Sequence, residues 1–97
     1  RMHLLIEQTV KEKIRQRRTQ MLIHSCIYYE LDGNVVDDFK WQQWADELRE
    51  LQDNNPDECT IGYYDTEFQG WTGAGGSHLP LRHPTIMTKA KKILDES

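Results

Sequence analysis

Tyr28-Tyr29-Glu30-Leu31-Asp32-Gly33-Asn34-Val35-Val36-Asp37-Asp38-Phe39-Lys40-Trp41-Gln42-Gln43-Trp44-Ala45-Asp46-Glu47-Leu48-Arg49-Glu50-Leu51-Gln52-Asp53-Asn54-Asn55-Pro56 decides the fold. The stretch reads as the end of one helix, a tight connection and a second helix that stops at a proline. Asp32-Gly33-Asn34 are residues that tolerate turns and left-handed backbone. Asp37 is a favourable N-cap, and Asp38 adds negative charge to the first turn, where the helix dipole favours it. Phe39, Trp41, Trp44, Ala45, Leu48 and Leu51 recur mostly at steps of three and four, which makes one apolar face. Asn54-Asn55-Pro56 ends the pattern. The prediction is a helix over 38–53, forming the second arm of a helical hairpin over about 14–57.

Upstream, residues 2–29 read as one long helix or two joined ones. Ile6, Val10, Ile14, Met21, Leu22, Ser25, Cys26 and Tyr29 fall near helical spacing, with no Gly or Pro among them. The stripe breaks for about one turn at Arg17-Arg18, which predicts a bend there or an outside packing partner for the first half. Downstream, His83-Pro84 opens a third helix over about 84–95, with Pro84 at its first position, where a missing N–H costs nothing. Ile86, Met87, Ala90, Ile93 and Leu94 make its apolar face, and Lys89, Lys91 and Lys92 suit its C-terminal half. Residues 54–82 between them are expected to be irregular. The fold is therefore mainly α, a single small domain over 1–97.

At 97 residues the chain is long enough for one core but not a generous one. Three Trp and four Tyr argue against disorder. No apolar run approaches the length of a membrane span, and residues 1–20 do not read as a signal peptide. Cys26 and Cys59 do not make a disulfide framework, so reduced thiols in a cytoplasmic protein are expected. The net charge of −4 is unevenly spread: five Lys/Arg stand against one Glu over 11–18, and twelve acids against two bases over 30–68. The basic run Lys11–Arg18 has the composition of a phosphate contact or of a solvated helix face; with no interleaved aromatics and an acidic remainder, nucleic acid is not expected as the main ligand.

The irregular part holds Thr60–Tyr64, an expected short strand or extended segment, and Gly70–Ser77, a glycine-rich loop. That loop lacks the Gly-Lys-Ser/Thr ending of a phosphate-binding loop, so it is expected to be a mobile surface loop in which Trp71 serves as a contact residue. A protein-interaction reading accordingly uses Trp71, Asp65 and Glu67. His24, Cys26, Cys59, His78 and His83 do not have metal-ligand spacing, and no metal or nucleophilic Cys–His pair is expected.

From Tyr28 to Asp57 the chain resembles, without a gap, the small N-terminal helical domain (domain Ia) of NAD-dependent DNA ligases. The residues that carry the likeness are Tyr28-Tyr29, Leu31-Asp32, Val36-Asp37-Asp38, Trp41-Gln42, Glu47-Leu48-Arg49-Glu50-Leu51 and Asn55-Pro56-Asp57. They cover about a third of the chain. The resemblance implies a site that closes over the nicotinamide mononucleotide (NMN) half of NAD, with Tyr28, Tyr29, Asp38, Trp41 and Gln42 at the family's contact positions. Trp41 stands where the family has Tyr, keeping a stacking surface without the hydroxyl. Gln42 stands where it has Asp, which removes a charge facing the cationic ring. Ligation by this chain alone is excluded, because the family's adenylated lysine lies in a Lys-x-Asp-Gly motif of a separate domain. Glu30-Leu31-Asp32-Gly33 has Glu in its place. The expected role is thus non-catalytic: binding a nicotinamide nucleotide or assisting a DNA-processing partner. The alternative is a protein-interaction module that regulates or inhibits a nucleic-acid-binding partner through the acidic 30–68 surface, with a dimer allowed by the stripe on the first helix.

Overall fold

A side chain at the first helix's N-terminus sets where that helix begins. Thr9 accepts a hydrogen bond from the Glu12 backbone N–H at 3.1 Å, and Glu12 accepts one from the Thr9 N–H at 2.8 Å. This reciprocal box satisfies two donors that a helix start otherwise leaves bare. The computed structural model describes residues 8–97. Helix α1 runs Val10–Tyr29, α2 runs Asp38–Asn54, and α3 runs Pro84–Glu96. A short 3-10 turn, Pro56–Glu58, follows α2. Residues 2–7 of the expected first helix lie outside the described residues, and Gln8 and Thr9 precede it rather than belong to it.

The α2 start matches its prediction: Asp37 caps it by accepting from the Lys40 N–H at 2.8 Å. At α3, Pro84 takes the first position and His83 Nδ1 accepts from the Thr85 N–H at 3.2 Å. α1 packs against both α2 and α3. The turn between α1 and α2 passes through Asp32 with φ 52°, left-handed backbone that Asp tolerates. Gly33 sits so close to α3 that an added Cβ would lie 2.8 Å from a Leu94 methyl.

The predicted bend at Arg17-Arg18 is absent, for a specific reason. Ile14, Arg18, Met21 and Ser25 are all buried on one face of α1, so the stripe continues straight through the arginine. Arg18 is 1 % exposed. Its guanidinium donates to Gln52 Oε1 (2.9 Å), to the carbonyls of Tyr63 (2.8 Å) and Cys59 (3.0 Å), and to Asp65 Oδ1 (2.7 Å). Arg17 pairs with Glu47 on α2 at 2.8 Å, and the Arg15 guanidinium lies over the Tyr63 ring. Arg17 and Arg18 are therefore occupied in holding the fold, whereas Lys11, Lys13 and Arg15 stay on the solvated side of α1.

Residues 55–83 are irregular apart from the 3-10 turn, as expected, but they are not a surface loop. Phe68, Trp71, Leu79 and Leu81 are buried in the same core as Met21, Leu22, Leu48, Ile86 and Ala90. Nor is 60–64 a strand: among the described residues there is none. Instead Asp65 folds back to accept from the N–H groups of Ile61, Gly62 and Tyr63, which wraps the chain through positive φ at Gly62 and Tyr64.

Candidate functional site

The two arms of the hairpin do not touch along their whole length; at the turn end they part around a pocket. Its walls come from the last turns of α1, residues 33–36 of the connection, the first turn of α2, and Ala74-Gly75 of the glycine-rich loop. The cavity volume is about 340 Å³, within the range of small-molecule sites. Tyr28, Tyr29, Asp38, Trp41 and Gln42 all line it, together with His24 and Ser25.

Helical geometry explains the convergence. Tyr28 and Tyr29 close α1, and their rings meet edge to face at 4.9 Å. They are 59 % and 48 % exposed, so their faces are available at the rim. Asp38 is the first residue of α2, and Trp41 follows three positions later, on the same face. Asp37 uses its carboxylate as the cap, whereas no ion pair among the described residues engages Asp38. Among the described residues, no Lys or Arg lines the pocket. Its one carboxylate therefore gives it a negative character suited to a cationic or neutral occupant.

Trp41 and Gln42, where the chain differs from the ligase domain that it resembles, have structural partners. Trp41 is half-buried, and its indole N–H donates inward to Ser25 Oγ at 3.4 Å. Gln42 Nε2 donates to Asp46 Oδ1 and to the Gly73 carbonyl, both at 3.0 Å. A carboxylate at position 42 would meet two acceptors there; an amide supplies the donor that both require. Gln42 thereby ties the glycine-rich loop to α2 and keeps Ala74-Gly75 at the pocket edge.

That loop sits close to the helices. Gly73, at φ 82°, lies against the Ala45 carbonyl, which already accepts from the Trp71 indole N–H at 3.0 Å. Gly76 lies against Ser25, whose Oγ an added Cβ would overlap. Trp71 is thus a core residue, 6 % exposed, not a partner contact. Its indole is large and apolar enough for the core and finds a carbonyl for its one donor. Asp65 likewise serves the interior through Arg18. Hydrogen bonds from Arg18 and from the N–H groups of Gly62, Ile61 and Tyr63 outweigh its partial burial, which acts upward, and hold its pKa at about 2. Of the three expected partner residues, Glu67 alone is exposed.

His24 went unused in the sequence reading except as an unsupported metal ligand. It stacks at a tilt on Trp44, with ring centres 5.2 Å apart, and lines the pocket. Its Nδ1 is buried without a hydrogen-bond partner among the described residues, and burial pushes its pKa down. The signal available in the sequence was its spacing, one helical turn before Tyr28. Among the described residues, no three His, Cys, Asp or Glu side chains form a group able to hold a metal ion. Burial pushes both free thiols, Cys26 and Cys59, up and away from nucleophilic character. No helix among the described residues is long and apolar enough to cross a membrane. No protein-family model matches the chain, and no solved structure matches it.

Proposed function

We propose that the chain is a non-catalytic module that binds the nicotinamide half of a nucleotide, NMN itself or NAD, in the pocket at the hairpin's turn end. One observation carries this reading: five residues chosen from a sequence resemblance, spread from 28 to 42, line a single cavity of about 340 Å³. The chemistry of that cavity agrees with it. Aromatic faces from Tyr28, Tyr29 and Trp41 suit a flat ring, and Asp38 suits a cationic one. In this role the module would serve a DNA-processing partner by holding its cofactor.

The test is isothermal calorimetry and thermal shift with NMN, NAD and AMP at millimolar concentration. A ligand that binds only the folded state raises the melting temperature once its concentration exceeds its Kd. Binding of NMN and NAD but not AMP is expected, with loss in Tyr28→Ala and Asp38→Asn at unchanged fold. Silence with all three nucleotides would sink the reading.

One feature favours a second reading, a protein-interaction module. Phe39 is 79 % exposed on the first turn of α2, in an acidic stretch that also carries the exposed Tyr28 and Tyr29. Exposed aromatics of this kind are typical anchors of partner contacts. Under this reading the partner is a basic, nucleic-acid-binding protein, and Phe39→Ser weakens its capture while leaving NMN binding unchanged.

A further inference from the structure

The pocket contains a hydrogen-bonding group that the nucleotide reading leaves without a task. His24 Nδ1 is buried with no hydrogen-bond partner among the described residues. A buried N–H without an acceptor costs more, and is rarer, than an under-used lone pair. The proton of the uncharged ring therefore belongs on Nε2, with Nδ1 carrying the bare lone pair. Nε2, unlike Nδ1, is not both buried and unpartnered, and the ring belongs to the pocket wall. The downward pKa keeps the ring uncharged at neutral pH. Among the described residues, the wall thus combines an N–H donor at His24 and a carboxylate at Asp38 with no Lys or Arg.

We propose that His24 is the residue that reads the substituent on the bound ring, donating from Nε2 to a neutral carbonyl oxygen, so that the site takes a carboxamide-bearing pyridinium and rejects its carboxylate counterpart. This rests on the nucleotide reading above and adds to it the residue that selects the ring substituent. A carboxamide satisfies the Nε2–H without adding charge. A carboxylate at the same place brings a second negative charge into a pocket that holds Asp38 and no cation, an arrangement that like-charge repulsion disfavours. His24 also has a fixed position for this role, because Trp44 backs its ring and α1 sets its height one turn below Tyr28.

The experiment compares NMN with nicotinic acid mononucleotide by calorimetry at pH 7.5, on the wild-type chain, His24→Phe and His24→Gln. Phe keeps a ring against Trp44 without nitrogen; Gln supplies an amide N–H near the Nε2 position. The wild type is expected to prefer NMN by about tenfold or more, His24→Phe to lose about tenfold in NMN affinity, and His24→Gln to stay within about threefold of wild type, the scale of one hydrogen bond in a closed site. On the wild-type chain, the His24 Nε2 nitrogen resonance is expected to shift on NMN saturation, a response that a purely structural histidine does not give. Equal binding of the two nucleotides, unaltered NMN affinity in His24→Phe, or an unmoved Nε2 resonance in the NMN-saturated wild type overturns the His24 assignment and leaves the nucleotide reading intact. Absence of wild-type binding to either nucleotide removes the nucleotide reading, and the assignment with it.

Discussion

Arg18 is a charged side chain that the fold cannot replace with a flexible one. Its planar fork meets a side-chain amide, two backbone carbonyls and a carboxylate at 2.7–3.0 Å, all from residues 34 to 47 positions further on. A lysine has three donors around one atom and no fork. Removing one side of a buried ion pair strands its partners, and such losses run at about 3–5 kcal/mol. Arg18→Met is therefore expected to lower stability by that order in urea denaturation, with Arg18→Lys recovering only part. Nothing in the local sequence reveals this. Lys11 to Arg18 reads as one basic run, and only the partners at 52, 59, 63 and 65 separate the buried arginine from its solvated neighbours. Tyr28, Tyr29, Asp38, Trp41 and Gln42 were chosen from the likeness to the ligase domain, and they line one pocket because they sit at the two helix ends that meet the turn. His24 stands one helical turn before Tyr28, a spacing visible in the sequence, but its distinguishing property, a buried nitrogen without a partner, depends on the packing around it.

At the scale of elements, what is locally determined was predicted and what is determined at a distance was not. The second and third helices were expected over 38–53 and 84–95 and run 38–54 and 84–96, since caps, prolines and apolar spacing are contained within each. The segment 55–83 has no period to read, so its four buried side chains looked like loop residues. Its glycines carry the information instead. Gly76 leaves room for Ser25 Oγ, a short side chain inside the core with little freedom to retreat. Gly76→Ala is expected to cost about 1–3 kcal/mol through overpacking. It should also weaken any ligand of the pocket, because the same added carbon lies 3.3 Å from the Trp41 ring. Chemical denaturation and NMN calorimetry on one sample separate the two effects. Trp71→Ala tests the corrected role of the loop: truncating a buried tryptophan costs about 3–5 kcal/mol, whereas an exposed contact residue would leave the melting curve in place.

For the whole molecule, His24 and Asp65 each make stability fall on acidification, the first contribution starting to go near pH 6.5 and the second near pH 4. His24 has its pKa lowered from 6.5 in the folded chain by burial. The unfolded chain then binds the proton more readily, so this contribution is complete above about pH 6.5 and is lost as pH falls below it. Asp65 is held at about 2 against an ordinary 3.8. Its contribution is complete above about pH 4 and is lost as pH falls from there toward 2, where the carboxyl that faces Arg18 takes up its proton. The melting temperature is thus expected to drop in two steps on acidification, the first below pH 6.5 and the second below pH 4. His24→Phe should flatten the first step and leave the second. Asp65→Asn should start from a lower melting temperature at neutral pH and flatten the second step alone. The assignment is checked by thermal melts at half-unit intervals from pH 8 to 2.5 for the three proteins. A first step that persists in His24→Phe would mean that another group carries it, and that the buried imidazole titrates as freely in the fold as out of it.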